Sequence, residues 1–233
     1  MMHLFYNPFI QGDTFELEEQ ESKHAIRVLR LVKGDRVILV DGRGGWYEAV
    51  ITEDHPKRCS LKIEAHTTGY QPLPYTLHIA VAPTKNLDRF EWFLEKATEI
   101  GISEITPLIC QRSERRQLKM ERLERILVSA MKQSLKAYKP KLNEPVSMEK
   151  FLKSDHQGIL GIAHCYPLER KGINEMGQTG NYTFIVGPEG DFTEDEVQEA
   201  MKAGYIPVQL GSSRLRTETA ALYITTAISI LHP

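Results

Sequence analysis

Apolar and polar residues alternate along much of the first seventy positions, which is typical of β-strands. Arg36 to Val40 and Trp46 to Ile51 alternate on either side of the segment DGRGG at positions 41–45, and this pattern predicts a hairpin. The glycine cluster fits neither of the common phosphate-loop spacings, so a hairpin turn is the better interpretation. The other predicted elements are strands at Leu4 to Tyr6 and Leu61 to Ala65 and a helix from Glu19 to Leu31. Together they indicate a small barrel carrying one helix.

Strands and helices alternate along the rest of the chain, after a segment rich in proline and glycine from Thr67 to Tyr75. A domain boundary in that segment predicts one domain at residues 1–70 and another at residues 76–233. The predicted strands are Leu77 to Ala82, Glu104 to Ile109, Gly158 to Ala163, Phe184 to Val186 and Ile206 to Leu210. The predicted helices are Asp88 to Ile100, Lys119 to Ala137, one that opens at Thr193, and a last one that ends at Leu231. This alternation predicts an α/β domain with a mainly parallel sheet.

Two of these helices carry further signals in their side chains. Thr193 precedes Glu196 by three residues, which is the spacing of a capping box. In the helix that begins at Lys119, apolar residues recur at helical spacing and predict a stripe that faces the core or a dimer seam. These residues are Met120, Leu123, Leu127, Met131 and Leu135.

Glycines stand at the carboxyl ends of the last two predicted strands, where open α/β sheets bind ligands. The first set is Gly187-Pro188-Glu189-Gly190, which by itself fits a tight turn as well as a ligand loop. The second loop follows Gly211 and adds two arginines and a carboxylate just before an apolar helix. Helix capping accounts for Thr217 but not for this cluster, which is Arg214, Arg216 and Glu218.

Composition narrows the class of protein. With 233 residues, 41% of them hydrophobic and 26% charged, the chain is typical of a globular protein with one or two domains. We expect no signal peptide, and the longest apolar segment, Ala220 to Leu231, is too short to cross a bilayer. The three cysteines are far apart and no metal-binding spacing is present. We therefore expect no metal site, no disulfide framework and a cytoplasmic location.

Positive charge is concentrated in two segments, although the net charge is −2. One lies between Arg112 and Lys141, and the other lies on the first predicted helix. Such local clusters are typical of a surface that binds polyanions, and a solvated helix face is the alternative. The residues predicted to bind RNA are Lys23, Arg27, Arg30, Arg112, Arg115, Arg116, Lys132 and Lys136.

Four separated stretches resemble one known family. They are HAIRVLRLVKGDRVILVDGRGGWYEA (24–49), KNLDRFEWFLEKATEIGISEITPLICQRSERR (85–116), GPEGDFTEDE (187–196) and LGSSRLRTETA (210–220). Their order and extent make the sequence similar to the RsmE family, ribosomal RNA uridine methyltransferases of the SPOUT superfamily. Three features depart from that family. Asp191 replaces a second glycine after GPEG, Lys132 replaces a glutamate, and the opening strand lacks an arginine.

The resemblance implies a PUA-like RNA-binding barrel followed by a SPOUT domain with a deep trefoil knot. It also implies S-adenosylmethionine as methyl donor, a homodimer, and methylation of N3 of a uridine in 16S ribosomal RNA of the small ribosomal subunit. The cofactor-binding residues that it implies are Ile162, Ala163, His164, Gly187, Pro188, Glu189, Gly190, Leu210, Gly211, Ser213, Leu215 and Arg216.

For the chemistry we predict three catalytic residues. Arg216 would stabilise negative charge on the uracil oxygens, because its guanidinium stays charged and its donors fork toward planar acceptors. Glu189 and Glu218 are candidate bases, and compensation of the helix dipole is the alternative role for Glu218. Two other functions remain open at this point: a non-catalytic RNA-binding or ribosome-assembly protein, and a SPOUT tRNA ribose methyltransferase.

Overall fold

The structure is a computed structural model that describes residues 3–178 and 180–232. The chain divides into two compact units. The first unit comprises Met1–Pro72 and Met131–Lys139, and the second comprises Leu73–Ala130 and Pro140–Pro233. The sequence prediction did not foresee that residues 131–139 group with the first unit.

The first unit is built on a five-stranded sheet with strand order β1-β3-β4-β5-β2. The strands are β1 (Leu4–Tyr6), β2 (Thr14–Glu16), β3 (Arg36–Val40), β4 (Trp46–Glu53) and β5 (Ser60–Thr67). β1 runs parallel to β3, and the other pairs are antiparallel, which confirms the predicted hairpin. The predicted helix over 19–31 is shorter than expected: α1 (Glu19–Lys23) continues as a π-helical segment, His24–Val28. Arg30 then adopts a φ of 58°, which no right-handed helix allows.

The turn between β3 and β4 explains why residues 131–139 group with the first unit. Gly42 and Gly44 have φ values of 75° and 97°, and a Cβ on Gly44 would collide with the ring of Tyr138. The returning segment bonds directly to this turn: Gly44 N donates to Ala137 O over 3.0 Å and Lys139 N donates to Gly42 O over 2.9 Å. The glycines therefore serve both the hairpin and the docking of a distant segment.

The second unit is built on a parallel sheet with strand order β11-β13-β10-β12-β6-β7-β8, and β9 also pairs with β7. The strands are β6 (Thr76–Val81), β7 (Glu104–Ile109), β8 (Lys141–Leu142), β9 (Val146–Ser147), β10 (Ile159–Ala163), β11 (Lys171–Gly172), β12 (Asn181–Val186) and β13 (Ile206–Gln209). The helices are α2 (Leu87–Ile100), α3 (Met120–Gln133), α4 (Met148–Leu152), a 3₁₀ turn (Ile173–Glu175), α5 (Glu194–Lys202) and α6 (Thr217–Leu231). The predicted mainly parallel α/β domain is confirmed.

Helices cover both faces of this sheet, as alternate residues of β6 show. Leu77 and Ile79 belong to a buried cluster with residues of α2, α3 and α6. Ala80, which points to the opposite face, belongs to a second cluster with residues of α4 and α5. The edge where the parallel strands end is consequently the part of the sheet left open for a ligand.

Two predicted helix ends can be compared with the structure. The capping box at α5 is confirmed, since the Thr193 hydroxyl accepts from Glu196 N and the Glu196 carboxylate accepts from Thr193 N. The prediction for α3 was too long: it ends at Gln133, and Leu135 has a φ of 55° and an exposed side chain. The apolar stripe of α3 is confirmed only through Met131.

Candidate active site

Three neighbouring strands of the second unit end at one edge of the sheet. β10 pairs with both β12 and β13, so the residues that follow Ala163, Val186 and Gln209 converge. They border a cavity of about 700 Å³, which is within the size range of small-molecule and cofactor sites. The lining residues are Ala163, His164, Cys165, Arg170, Val186, Gly187, Pro188, Glu189, Asp191, Val208, Gln209, Leu210, Gly211, Ser212, Ser213, Arg214, Leu215, Arg216, Thr217 and Ala220.

We call residues 187–192 the first loop and residues 210–216 the second loop. A buried hydrogen bond ties the end of the second loop to the first: the hydroxyl of Thr217, the residue after the second loop, donates to the Gly187 carbonyl over 2.9 Å. The prediction that Thr217 caps the last helix was therefore wrong. Arg216 occupies the N-cap position of α6, without a side-chain cap, and the Thr217 hydroxyl fixes one loop against the other.

Glu189, a predicted base, is exposed and lines the cavity. Its Oε1 accepts a hydrogen bond from Lys85 N over 2.9 Å, which connects the first loop to the segment after β6. The carbonyl of Lys85 in turn accepts from Arg115 Nε and Nη2 over 3.2 and 3.0 Å. Glu189 is therefore an anchor of the first loop as well as a carboxylate at the cavity.

Arg112 holds the same loop from another side. Its Nη1 donates to the carbonyls of Gly190 and Phe192 over 2.9 and 3.1 Å. Phe192 is fully buried, and its carbonyl also accepts from the Tyr166 hydroxyl over 2.9 Å. The first loop is thus fixed by three side chains, those of Arg112, Tyr166 and Thr217, and by the main-chain N–H of Lys85.

His164 presents a polar atom without a protein partner. Its side chain is 5% exposed, and Nδ1 accepts from Tyr166 N over 3.1 Å, so the neutral ring carries its proton on Nε2. Burial lowers the pKa of His164, and the nearby charge of Asp191 opposes that shift, so the ring is neutral near pH 7. Nε2 has no hydrogen-bond partner among the described residues. This N–H is consequently available to an acceptor on a ligand.

The second loop contrasts with the first in exposure and in bonding. Gly211 has a φ of 99°, and a Cβ there would meet nothing within 4 Å. Arg214 and Arg216 are exposed and line the cavity. Within the described residues, neither guanidinium makes a hydrogen bond or ion pair to the protein. Both can therefore turn toward a ligand without breaking an existing bond.

Three predicted site residues do not line the cavity. Ile162 is fully buried in the cluster beside α4 and α5. Gly190 faces the Arg112 side chain, which lies 3.5 Å from where a Cβ would stand. Glu218 is buried, and its Oε1 lies 4.0 Å from Arg89 Nε on α2. Because successive helix positions are rotated by about 100°, adjacency to Thr217 does not bring Glu218 to the same side.

Several lining residues were missed by sequence reasoning. Cys165 directly follows His164, the last residue of the predicted cofactor-binding segment 162–164, so extending that segment by one position would have included it. Asp191 was noted only as a departure from the family. Arg170 carried no signal because it lies six positions beyond His164, yet its Nη1 donates to the His164 carbonyl over 2.9 Å.

The residues predicted to bind RNA in the first unit differ in solvent exposure and in ion pairing. Lys23, Arg27 and Arg30 are exposed. Lys132 pairs with Glu21, with Nζ 2.8 Å from Oε1, and lies 5.6 Å from the centre of the Phe5 ring. Burial lowers the pKa of Lys136, whose side chain is only partly exposed. Lys132 is thus largely neutralised, whereas Lys23, Arg27 and Arg30 have no ion-pair partner among the described residues.

In the second unit the three predicted arginines are all bonded to main-chain carbonyls. Arg112 and Arg115 make the contacts described above, and Arg116 Nη2 donates to Cys110 O and Gln111 O over 3.3 and 3.1 Å. Hydrogen bonds to neutral carbonyls leave the positive charges uncompensated. These arginines can consequently stabilise the loops and still attract phosphate.

Residues 3–178 and 180–232 contain no cluster of three or more histidine, cysteine, aspartate or glutamate side chains that could hold a metal ion. No helix in those ranges is both long and apolar enough for a membrane span.

Comparison with known proteins agrees with this geometry. Residues 71–229 match the family described as "RNA methyltransferase domain", and residues 17–64 match "RNA methyltransferase PUA domain". The Ribosomal RNA small subunit methyltransferase E of Aquifex aeolicus is 30% identical, with 99% of each chain covered.

Solved structures give the same result. A probable rRNA-methyltransferase from Porphyromonas gingivalis has a TM-score of 0.93 and 40% identity, covering 99% of this chain and 98% of that one. The Ribosomal RNA small subunit methyltransferase E of Neisseria gonorrhoeae, solved with S-adenosyl methionine, has a TM-score of 0.90 and 28% identity over the same shares. This chain belongs to the ribosomal RNA small subunit methyltransferase E family, as its sequence motifs predicted.

Proposed function

We propose that this protein transfers a methyl group from S-adenosylmethionine to N3 of a uridine in 16S ribosomal RNA. The observation that carries the proposal is the cavity at the strand ends, bordered by two loops and two unbonded arginines. A relative with a TM-score of 0.90 was solved with this cofactor. The substrate is inferred from the family's names and motifs together with the charge at the cavity.

The cavity residues fit such a cofactor. Its volume of about 700 Å³ admits a nucleoside with an amino-acid arm. The unpartnered Nε2–H of His164 offers a buried donor, and the open space beside Gly211 permits close approach to the backbone. S-adenosylmethionine, when bound, supplies a methyl group on a positively charged sulfur. The residues that would hold it are Ala163, His164, Gly187, Pro188, Leu210, Gly211, Ser213 and Leu215.

Arg216 is the residue to which we assign charge stabilisation. Uridine N3 becomes a good nucleophile only after it loses its proton, and the negative charge then spreads onto O2 and O4. A guanidinium aimed at one of those oxygens would stabilise that charge in a partly dehydrated cavity. Arg216 lines the cavity and has no competing bond among the described residues.

We assign proton removal to Glu189. Of the two predicted bases, only Glu189 lines the cavity, whereas Glu218 is buried beside Arg89. The N3 proton would pass to the carboxylate and the N3 electron pair would form the new bond to the methyl carbon. The carbon–sulfur bond would break with its electron pair left on sulfur, so the methylated base and the thioether product are both neutral at these atoms. The hydrogen bond from Lys85 N engages Oε1 and fixes the carboxylate position.

A homodimer is part of the proposal. α2 and α6 pack against each other and expose three large apolar side chains. Trp92 on α2 is 44% exposed, and Tyr223 and Ile230 on α6 are 44% and 71% exposed. A second copy of the chain would bury them, as isologous interfaces do. Light scattering should give twice the 26.6 kDa chain mass, and the chain mass with full activity would refute an obligate dimer.

The nucleic-acid partner and the location follow from the same proposal. The free cations of the first unit, Lys23, Arg27 and Arg30, would contact phosphates of the small ribosomal subunit RNA. We place the protein in the cytoplasm, where small subunits are assembled.

Mass spectrometry of nucleosides tests the reaction directly. In cells without the gene, 16S RNA should lose one N3-methylated uridine, and the purified protein with S-adenosylmethionine should restore it. A methyl group on a ribose oxygen, or none, would reject the proposed reaction.

A further inference from the structure

Asp191 has an unusual backbone conformation at the edge of the cavity. Its φ is 61°, in the left-handed region, where a non-glycine residue is uncommon. Aspartate and asparagine tolerate this region better than most residues because their short polar side chains bond to nearby main chain. The position therefore needs either glycine or a side chain that compensates for the strain.

The Asp191 carboxylate accepts two main-chain hydrogen bonds from different segments. Oδ1 accepts from Phe192 N over 2.9 Å, within the first loop. Oδ2 accepts from Cys165 N over 2.9 Å, at the residue that follows His164 beyond the end of β10. Asp191 thus bridges two walls of the cavity with one charged side chain.

We propose that Asp191 is a positioning residue that holds the segment after β10 against the first loop at the spacing the methyl donor requires. This inference rests on the proposed function, since it assigns Asp191 to the affinity of the same cavity. Hydrogen bonds in which an ionised carboxylate accepts from a main-chain N–H are among the stronger hydrogen bonds. Without the Asp191 bridge, the bond from the Tyr166 hydroxyl to the Phe192 carbonyl still joins the two walls, but the Cys165 main chain loses its link to the first loop. The ligand must then order that part of the cavity itself, and the cost of ordering is subtracted from its affinity.

Three substitutions separate backbone strain from the bridge. Asp191→Gly removes the bridge but adopts the same φ without strain. Asp191→Asn tolerates the φ and retains one acceptor oxygen, so it keeps one of the two bonds. Asp191→Ala loses the bridge and bears the strain as well. As a matched control, Gln71→Gly relieves a φ of 47° at an exposed residue of the first unit.

Calorimetry with S-adenosylmethionine and steady-state kinetics on the full-length variants provide the test. Asp191→Gly should raise the Kd and the KM for S-adenosylmethionine about tenfold, which corresponds to about 1.4 kcal/mol. Its kcat at saturating cofactor should change less than threefold, because the bridge acts on binding. Asp191→Asn should fall between wild type and Asp191→Gly, and Gln71→Gly should bind like wild type.

The outcomes keep this inference apart from the proposed function. If the wild-type protein does not bind S-adenosylmethionine, the proposed function fails first. If wild type binds and Asp191→Gly binds equally well, only the bridge is rejected. If a crystal structure of Asp191→Asn keeps the bond from Cys165 N and the variant is still as weak as Asp191→Gly, the charge and not the hydrogen bond determines affinity, and that also overturns the inference.

Discussion

The two loops that border the cavity are held in opposite ways. The first loop is bonded to Lys85, Arg112, Cys165 and Thr217, so side chains and main chain from four segments fix it. The second loop exposes residues 211–214 and presents Arg214 and Arg216 without protein partners among the described residues. A firmly bonded wall supplies a preformed site, and unbonded side chains supply groups that can follow a reacting substrate. We therefore expect loss of the bonds that hold the first loop to change stability and cofactor affinity, and loss of the Arg216 guanidinium on the second loop to change turnover.

Substitution of Arg216 should give the largest effect. If its guanidinium stabilises charge that develops in the transition state, Arg216→Ala should lower turnover by roughly 10²–10³, as loss of an oxyanion donor does. The Kd for S-adenosylmethionine should change little. Arg216→Lys should restore turnover only in part, because an ammonium cannot reproduce the guanidinium fork. Single-turnover rates at saturating cofactor and RNA measure this directly.

Arg214→Ala is the matched control for Arg216, since both arginines are exposed on the second loop and line the cavity. Its loss should be much smaller if position, and not general positive potential, determines the rate. Equal losses of turnover in the two variants would contradict a specific role for Arg216. They would mean that the second loop contributes only general positive potential.

The bond between the loops should matter most for stability. Thr217→Val removes the hydroxyl that donates to the Gly187 carbonyl. The buried carbonyl oxygen of Gly187 is then left without this donor. The free energy of unfolding should fall by about 1–3 kcal/mol. Thr219→Val, at an exposed position of the same helical turn, should change it by less than about 0.5 kcal/mol. Denaturant unfolding of both variants is the measurement, and equal stability would show that the loops do not depend on this link.

Glycine substitutions in each loop sharpen the comparison further. Gly211→Ala places a side chain where φ is 99°, which strains the second loop. The variant should bind S-adenosylmethionine about fivefold more weakly, which corresponds to a loss of about 1 kcal/mol in binding free energy. Gly190 lies outside the left-handed region and a Cβ there would make ordinary contacts with Arg112, so Gly190→Ala should bind nearly as wild type. Calorimetry measures the Kd for S-adenosylmethionine of both variants. A larger loss of affinity in Gly190→Ala than in Gly211→Ala would mean that the backbone at Gly190, and not at Gly211, lies against the cofactor.

Several features of the site were predictable because they depend on local sequence. The capping box at Thr193 and Glu196 fixes the start of α5 from neighbouring residues alone. The glycines after β12 and β13 mark the strand ends at which parallel sheets place ligands. Local patterns therefore predicted which edge of the sheet carries the site and which two loops border it.

Other features depend on distant segments, which no local pattern reports. The Glu189 carboxylate bonds to Lys85, more than a hundred positions earlier in the chain. The length of α3 was overestimated because apolar periodicity continues to Leu135, although the backbone leaves the helix before it. Glu218 looked like part of the polar cluster because it is adjacent to Thr217, but helical rotation turns it toward Arg89.

The contrast between bonded and free side chains also applies to the cations of the first unit, where the expected effects are smallest. Each free cation that contacts a phosphate adds about 0.9 to the salt slope of binding for a duplex, or about 0.7 for single strands. Lys23→Ala and Arg27→Ala together should therefore flatten the slope of log affinity against log salt by about 1.4–1.8. Lys132→Ala should change the slope by much less, because Glu21 already neutralises that lysine. Filter binding of 16S RNA between 50 and 200 mM salt, roughly the range in which such slopes are resolved, provides the measurement.

A wild-type slope in the double variant would assign Lys23 and Arg27 to an ordinary solvated helix face. A large effect of Lys132→Ala would mean that RNA displaces Glu21 from its partner.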